Sequence, residues 1–462
     1  MPLPMSPLDS MFLLGESREH PLHVGGIEIF QPPEGTDPHD IREAFDRAVA
    51  AGTDVAPKLA QRPRRSLTSL GQWYWETVDD LDLDHHIRHD ALPAPGGEAE
   101  LMTLCSRLHS SLLDRHRPLW EMHLIEGLSD GRFAVYTKIH HAVADGVTAM
   151  KMLRNALSED SDERDMPAPW EPRKAKPKPR TGGFTLSNLA GSTLRTARGT
   201  VGEVAGLVPA LTGTVSRAVR DKGGPLTLSA PRTPFNVPIT GARAFAAQSW
   251  PLERLRLVAK LGDATINDVV LAMSSGALRS YLDDLDALPD EALIAMVPVS
   301  LEDQREAANG NNVGSLMCNL GTDLSDPLDR LAKISTCMTD GKTALQSMSA
   351  TQILAMSALG TAPAAASILF GHNARIRPPF NVIISNVPGP RAPLYWNGAR
   401  LEAIYPLSVP TDGQALNITC TSNDDIISFG VTGCRRAVPN LKSIPARLGH
   451  ELRVLERVLG IC

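Results

Sequence analysis

Apolar and polar positions follow regular periods in two stretches of this chain, with a proline-rich stretch between them. Within residues 1–165, HVGGIEIF (23–30) and FAVYTKIHH (133–141) carry the alternation and β-branched content of strands. DIREAFDRAVA (40–50), ELMTLCSRLHSSLLD (100–114) and GVTAMKMLRNAL (146–157) repeat apolar residues at helical spacing. Residues 166–240 break both periods. Pro167, Pro169, Pro172, Pro177 and Pro179 remove helix and sheet options, and five basic residues fall between Arg173 and Arg180. This stretch reads as a linker, followed over 184–220 by weakly charged crossover helices that would pack across domains or against lipid.

From Gly241 to Cys462 both periods return. TINDVVLAMSSGALRSYLDDL (265–285) and PARLGHELRVLERVLG (445–460) are expected helices; LIAMVPVSL (293–301), FNVIISNVPGP (380–390) and ALNITCTSNDDIISFGVTG (415–433) are strand-like. The predicted fold class is therefore α/β with two domains, at 1–165 and 241–462. A chain of 462 residues is long enough to give each its own core. The run from Thr343 to Gly371 has no charge and is long enough to span a bilayer. Its Ala, Ser and Thr content, with Gly360 and Pro363, keeps it only modestly apolar, so buried or lipid-facing surface helices are expected instead.

Composition narrows the function. A net charge of -6, without zinc-finger, arginine-rich or glycine-rich nucleotide-binding patterns, gives no basis for a nucleic-acid partner. Cys105, Cys318, Cys337, Cys420, Cys434 and Cys462 form no Cys-x-x-Cys pair, which argues against thiolate metal sites and a disulfide scaffold and fits a reducing cytosol. The N-terminus has early acidic residues and no basic region followed by a long apolar run, so no signal peptide is expected. The basic linker and the low-charge helices predict a cytoplasmic protein that attaches peripherally to the inner membrane face or to lipid droplets.

The sharpest local pattern is HHAVADG, residues 140–146, where a strand gives way to a helix. A neutral imidazole at such a junction can take a proton from an alcohol and return it to a leaving thiolate. Asp145 would cap the following helix and organise the loop, and Gly146 would give the turn space and conformational freedom. Alternation leaves open which histidine reacts: Phe133, Val135, Ile139 and His141 share one parity, Tyr136, Lys138 and His140 the other. The pair His85–His86 lacks a complete ligand set for a metal, and DLDLDHHI suits a half-exposed strand.

HHAVADG resembles the HHxxxDG motif of coenzyme-A-dependent acyltransferases. With Pro118-Leu119-Trp120, Asn267-Asp268, the opening SPLDSMFLLGE, PLHVGG and SNVPGP (385–390), the whole chain resembles the bacterial wax ester synthase/acyl-CoA:diacylglycerol acyltransferase family. The resemblance implies two chloramphenicol-acetyltransferase-like domains with a substrate tunnel at their interface. It implies His141 as the base, with His140 beside it and Asp145 holding the loop, and acyl-CoA as a co-substrate rather than a permanently bound cofactor. The implied product is triacylglycerol from diacylglycerol, with wax ester from a long-chain fatty alcohol as the alternative and a carrier-protein-dependent condensation enzyme as a more distant one.

Around that resemblance, several residues have plainer readings. Trp120 is expected to be a core aromatic, and the NVPGP turn architectural. Asn267 and Asp268 are candidates either for a helix cap or for the substrate seam, Asn267 also for oxyanion stabilisation. No Gly-x-Ser-x-Gly elbow suggests a covalent serine route, so direct transfer is expected.

Overall fold

Two six-stranded sheets organise the chain. The computed structural model describes residues 3–51, 54–65, 71–171, 230–300, 313–346 and 377–461. The basic stretch at 173–180, the crossover helices at 184–220 and all but the start of the 343–371 run lie outside the described residues. The first part of the chain forms β1 (Leu3–Pro4), α1 (Pro7–Gly15), β2 (His23–Gln31), α2 (Pro38–Ala51), β3 (Gln61–Arg65) and β4 (Trp73–Thr77). It continues with α3 (Leu83–His86), β5 (Ile87–Ala91), α4 (Glu98–Ser110), β6 (Trp120–Glu126), β7 (Phe133–His140) and α5 (Gly146–Ala156). Beyond the linker come β8 (Arg243–Pro251), α6 (Leu252–Leu261), α7 (Ile266–Asp283), β9 (Ile294–Ser300), β10 (Val313–Asn319) and α8 (Pro327–Gln346). The last part holds β11 (Val382–Val387), β12 (Tyr395–Trp396), β13 (Ala399–Leu407), β14 (Leu416–Asn423), β15 (Ile426–Cys434) and α9 (Ile444–Val458).

The first sheet has the order β12-β13-β2-β7-β6-β5, and the second β10-β9-β11-β14-β15-β8. Two strands from the 241–462 segment thus sit in the first sheet: β13 pairs antiparallel with β2 from Arg400 opposite Gln31 to Leu407 opposite Gly25. Pairing completes the hydrogen bonds of a strand edge that would otherwise stay open.

Alternation along β7 explains why the motif sits on a rigid base. Phe133 and Ile139 enter a core with Trp120, Phe45 and Trp396, while Ala134 and Tyr136 enter the opposite core under α4. Each such large apolar side chain contributes about 1.5–3 kcal/mol when fully buried. Helix α4 ends at Ser110, short of the expected Asp114. The buried Lys138 ammonium caps that end, donating to the carbonyls of Leu108 and Ser111 (both 3.2 Å) and pairing with Glu121 at 2.9 Å. DLDLDHHI also departs from the strand expected of it. The Asp82 carboxylate accepts from the His85 amide at 3.3 Å and starts the turn of helix at Leu83–His86, so β5 begins only at Ile87.

The two sheets meet along β13. Asn423 donates to the Leu401 carbonyl (3.0 Å), the Ser408 amide donates to Thr432 Oγ1 (3.1 Å), and a Cβ on Gly430 would lie 2.0 Å from the Pro406 carbonyl oxygen. Only glycine allows that approach. His109 bridges the seam between the Tyr136 hydroxyl (3.0 Å) and the Ser408 carbonyl (3.3 Å). Burial pushes its pKa down to about 3, so it stays neutral and serves one partner as acceptor and the other as donor. Among the described residues no helix is long and apolar enough to cross a membrane.

Candidate active site

The strand β7 ends at His140, and the next residues are pinned by main-chain bonds from several directions. The Leu119 carbonyl accepts from the His140 amide (3.0 Å) and the Leu22 carbonyl from the His141 amide (2.9 Å). The His140 carbonyl accepts from Val143 (2.8 Å) and Ala144 (3.2 Å), and Lys58 Nζ donates to the Val143 carbonyl (3.0 Å). Strand alternation stops at His140, so His141 leaves the pleat and takes an orientation set by the turn.

The two imidazoles have different surroundings. His140 is fully buried. Its Nδ1 accepts from the Ala142 amide at 3.1 Å, which puts the proton of the neutral ring on Nε2. Nε2 faces Glu16 Oε1 at 3.3 Å, close enough to pair electrostatically though not aligned as a full hydrogen bond. Glu16 in turn receives Arg115 (2.9 and 3.1 Å) and the Leu22 amide (3.2 Å). Burial raises the Glu16 pKa, but His140, the Leu22 amide and Arg115 outweigh that and hold it below its ordinary value. Both ring nitrogens of His140 are thus committed within the protein.

His141 is half-buried and stacks on Phe12, with ring centroids 4.3 Å apart and planes 23° from parallel. Burial lowers its pKa below 6.5; the Asp145 charge opposes this, His140 adds to it, and a hydrogen bond to its own main chain opposes it. The ring is a free base at neutral pH.

Asp145 caps α5, its carboxylate accepting from the Thr148 amide at 2.7 Å. Asp145→Ala is expected to lower stability by about 1 kcal/mol and to reduce turnover with it, while Asp145→Asn, which keeps the acceptor oxygen, retains most of both. Thermal unfolding beside a thiol-release assay checks this; an unshifted D145A midpoint with turnover lost would assign Asp145 a direct part in the chemistry. Gly146 differs from expectation. Its φ is not in the left-handed range, and a Cβ there would meet Val387 Cγ2 at an ordinary 3.6 Å. It opens α5 without needing glycine's conformational freedom. The same contact brings the end of β11, in the second sheet, against the histidine loop.

Trp120 is a core residue: its Nε1 donates to the Leu59 carbonyl at 2.8 Å, and its ring stacks on His86 at 4.6 Å. His86 donates from Nδ1 to the Trp120 carbonyl at 2.8 Å, and no group of three or more metal-ligating side chains converges among the described residues. In SNVPGP, a Cβ on Gly389 would lie 1.7 Å from the Ser422 carbonyl oxygen, a close approach that only glycine permits. Asp268 forms a capping box with Thr265 at the start of α7: the Thr265 amide donates to Oδ2 (2.9 Å), and the Asp268 amide donates to Thr265 Oγ1 (3.2 Å). Among the described residues no hydrogen bond or ion pair joins Asn267 or Asp268 to residues 140–146. Sequence reasoning did not single out Phe12, Glu16, Arg115 or Lys58; the first two stand in SPLDSMFLLGE, and that stretch was the available signal.

Comparison with known proteins adds to this geometry. The family model described as the wax ester synthase/diacylglycerol acyltransferase catalytic domain matches residues 5–270, and that of the WS/DGAT C-terminal domain matches 309–456. A Mycobacterium tuberculosis protein named as a diacylglycerol O-acyltransferase is 51% identical over 465 residues, covering 98% of this chain and 91% of the relative. Another from that organism is 47% identical over 457 residues, covering 99% and 100%. The solved wax ester synthase/diacylglycerol acyltransferase from Marinobacter aquaeolei VT8 superposes with a TM-score of 0.80 at 40% identity, over 99% of this chain and 100% of that one. The first condensation domain of the CDA synthetase superposes at 0.60 with 17% identity, over 99% and 96%, a likeness of fold alone.

Proposed function

The chain belongs to the wax ester synthase/diacylglycerol acyltransferase family and is an acyltransferase; from that premise we propose that it moves a long-chain acyl group from acyl-CoA to diacylglycerol, with His141 as general base. The observation that carries this reading is the free-base His141, half-buried on a loop that the second sheet approaches at Val387. His141 Nε2 takes the acceptor hydroxyl proton as the oxygen attacks the thioester carbonyl. The carbon–sulfur bond breaks, and the imidazolium protonates the departing thiolate. His140 takes no part in proton transfer, because its Nδ1 is occupied and its Nε2 faces Glu16. A tunnel at the seam between the domains would hold the alkyl chains, whose burial contributes about 0.8 kcal/mol per methylene. Attachment to the cytoplasmic membrane face or to lipid droplets would be peripheral and would deliver the lipid acceptor.

Competition between diacylglycerol and hexadecanol for one labelled long-chain acyl-CoA tests the acceptor. Triacylglycerol should form at least as fast as wax ester. One methylene or branch shifts such discrimination by only about 1–3 kcal/mol, so both products are expected. Wax ester with barely detectable triacylglycerol would overturn the diacylglycerol assignment and leave the acyltransferase standing.

A further inference from the structure

Helix α1 and the Glu16 that caps its C-terminus contact the two histidines of the motif. Its Glu16 faces His140 at 3.3 Å, and Phe12, four residues earlier, lies over the His141 ring at 4.3 Å. The helix end is itself fixed: the Glu16 amide donates to the Phe12 carbonyl at 3.1 Å, and Ser6 Oγ accepts from the Asp9 amide at 3.1 Å. Leu13 fills the core beneath and is fully buried, while Phe12 packs on the edge of that core and stays half-buried beside the His141 ring. Among the described residues no other side chain holds His141 by a hydrogen bond. A ring without such a tether can still swing, and a stacked aromatic face opposes that swing by dispersion and quadrupole contact.

We propose that Phe12 is the positioning residue of His141, its ring face setting the imidazole plane so that Nε2 points to the acceptor hydroxyl. This rests on His141 being the base. Misplacing a reacting group by a fraction of its working distance lowers the rate at the chemical step and leaves substrate binding largely intact.

The test uses the full-length enzyme with palmitoyl-CoA and hexadecanol, reading thiol release and thermal midpoint for Phe12→Leu, Phe12→Tyr, His141→Ala and the F12L/H141A double variant. F12L is expected to lose roughly tenfold in kcat with the acyl-CoA KM and the midpoint near wild type. F12Y, which keeps the ring face, should retain most turnover; it also serves as the folded comparison, alongside Phe12→Met, if leucine fails to fold. In the H141A background F12L should cause no further loss. Wild-type kcat in F12L, or the same tenfold loss in the H141A background, overturns the positioning role and leaves the base assignment intact. Near-native turnover of H141A alone overturns both.

Discussion

His141→Ala is expected to lose about 10²- to 10⁴-fold in kcat, the usual contribution of a general acid-base, while the unfolding midpoint stays close to wild type. The fold should tolerate the change because the half-buried ring makes no hydrogen bond to another side chain among the described residues, and the amide that anchors it to the Leu22 carbonyl survives in alanine. The pH dependence follows from the direction of the shift. Burial places the His141 pKa below 6.5, so the base form is filled through neutral pH and kcat/KM should be flat there, falling only as pH drops through the lowered value. H141A should lack that acid limb. Near-native turnover in the variant, or an acid limb centred above pH 7 in the wild type, would assign proton transfer to another group.

Glu16→Gln should damage stability and turnover together. The carboxylate is buried and serves His140, Arg115 and the Leu22 amide at once, and glutamine keeps the size while removing the charge. An unsatisfied buried polar group costs about 1–3 kcal/mol and a broken buried ion pair about 3–5. Arg115 is partly exposed and recovers water, so a loss of about 2–4 kcal/mol is expected. Turnover should fall because the His140 ring loses the charge facing its Nε2 and holds the turn that carries His141 less firmly. The folded-state pKa of Glu16 lies below the 4.5 expected of the unfolded chain, so its stabilisation is fully present above that value and is lost as pH falls through the folded pKa. Denaturant unfolding of wild type and E16Q should therefore differ most at neutral pH and converge in acid. A gap that persists unchanged in acid would mean that the Glu16 charge is not what stabilises the fold.

Local chemistry in the sequence determined much of this protein. The period-two pattern of FAVYTKIHH and the helical spacing of GVTAMKMLRNAL need only a few neighbouring residues to be recognised, and both elements formed where expected. Asp145 and the Thr265–Asp268 box are caps written in adjacent residues, and the resemblance of HHAVADG to an acyltransferase motif was likewise contained in seven consecutive letters. Where a side chain's state depends on distant partners, the sequence was silent. Alternation could not tell how His140 and His141 are surrounded, because the Ala142 amide, Glu16 and Phe12 bring together the turn after β7 and the end of α1. β13 pairs with a strand some 370 residues earlier, as Arg400 opposite Gln31 records, and no local window contains that register. DLDLDHHI alternates like a strand, yet the Asp82 cap and the stacking of His86 on Trp120 made its end a turn of helix. Only the tertiary structure decided these points, because each is set by contacts whose free energy exists only when remote segments meet.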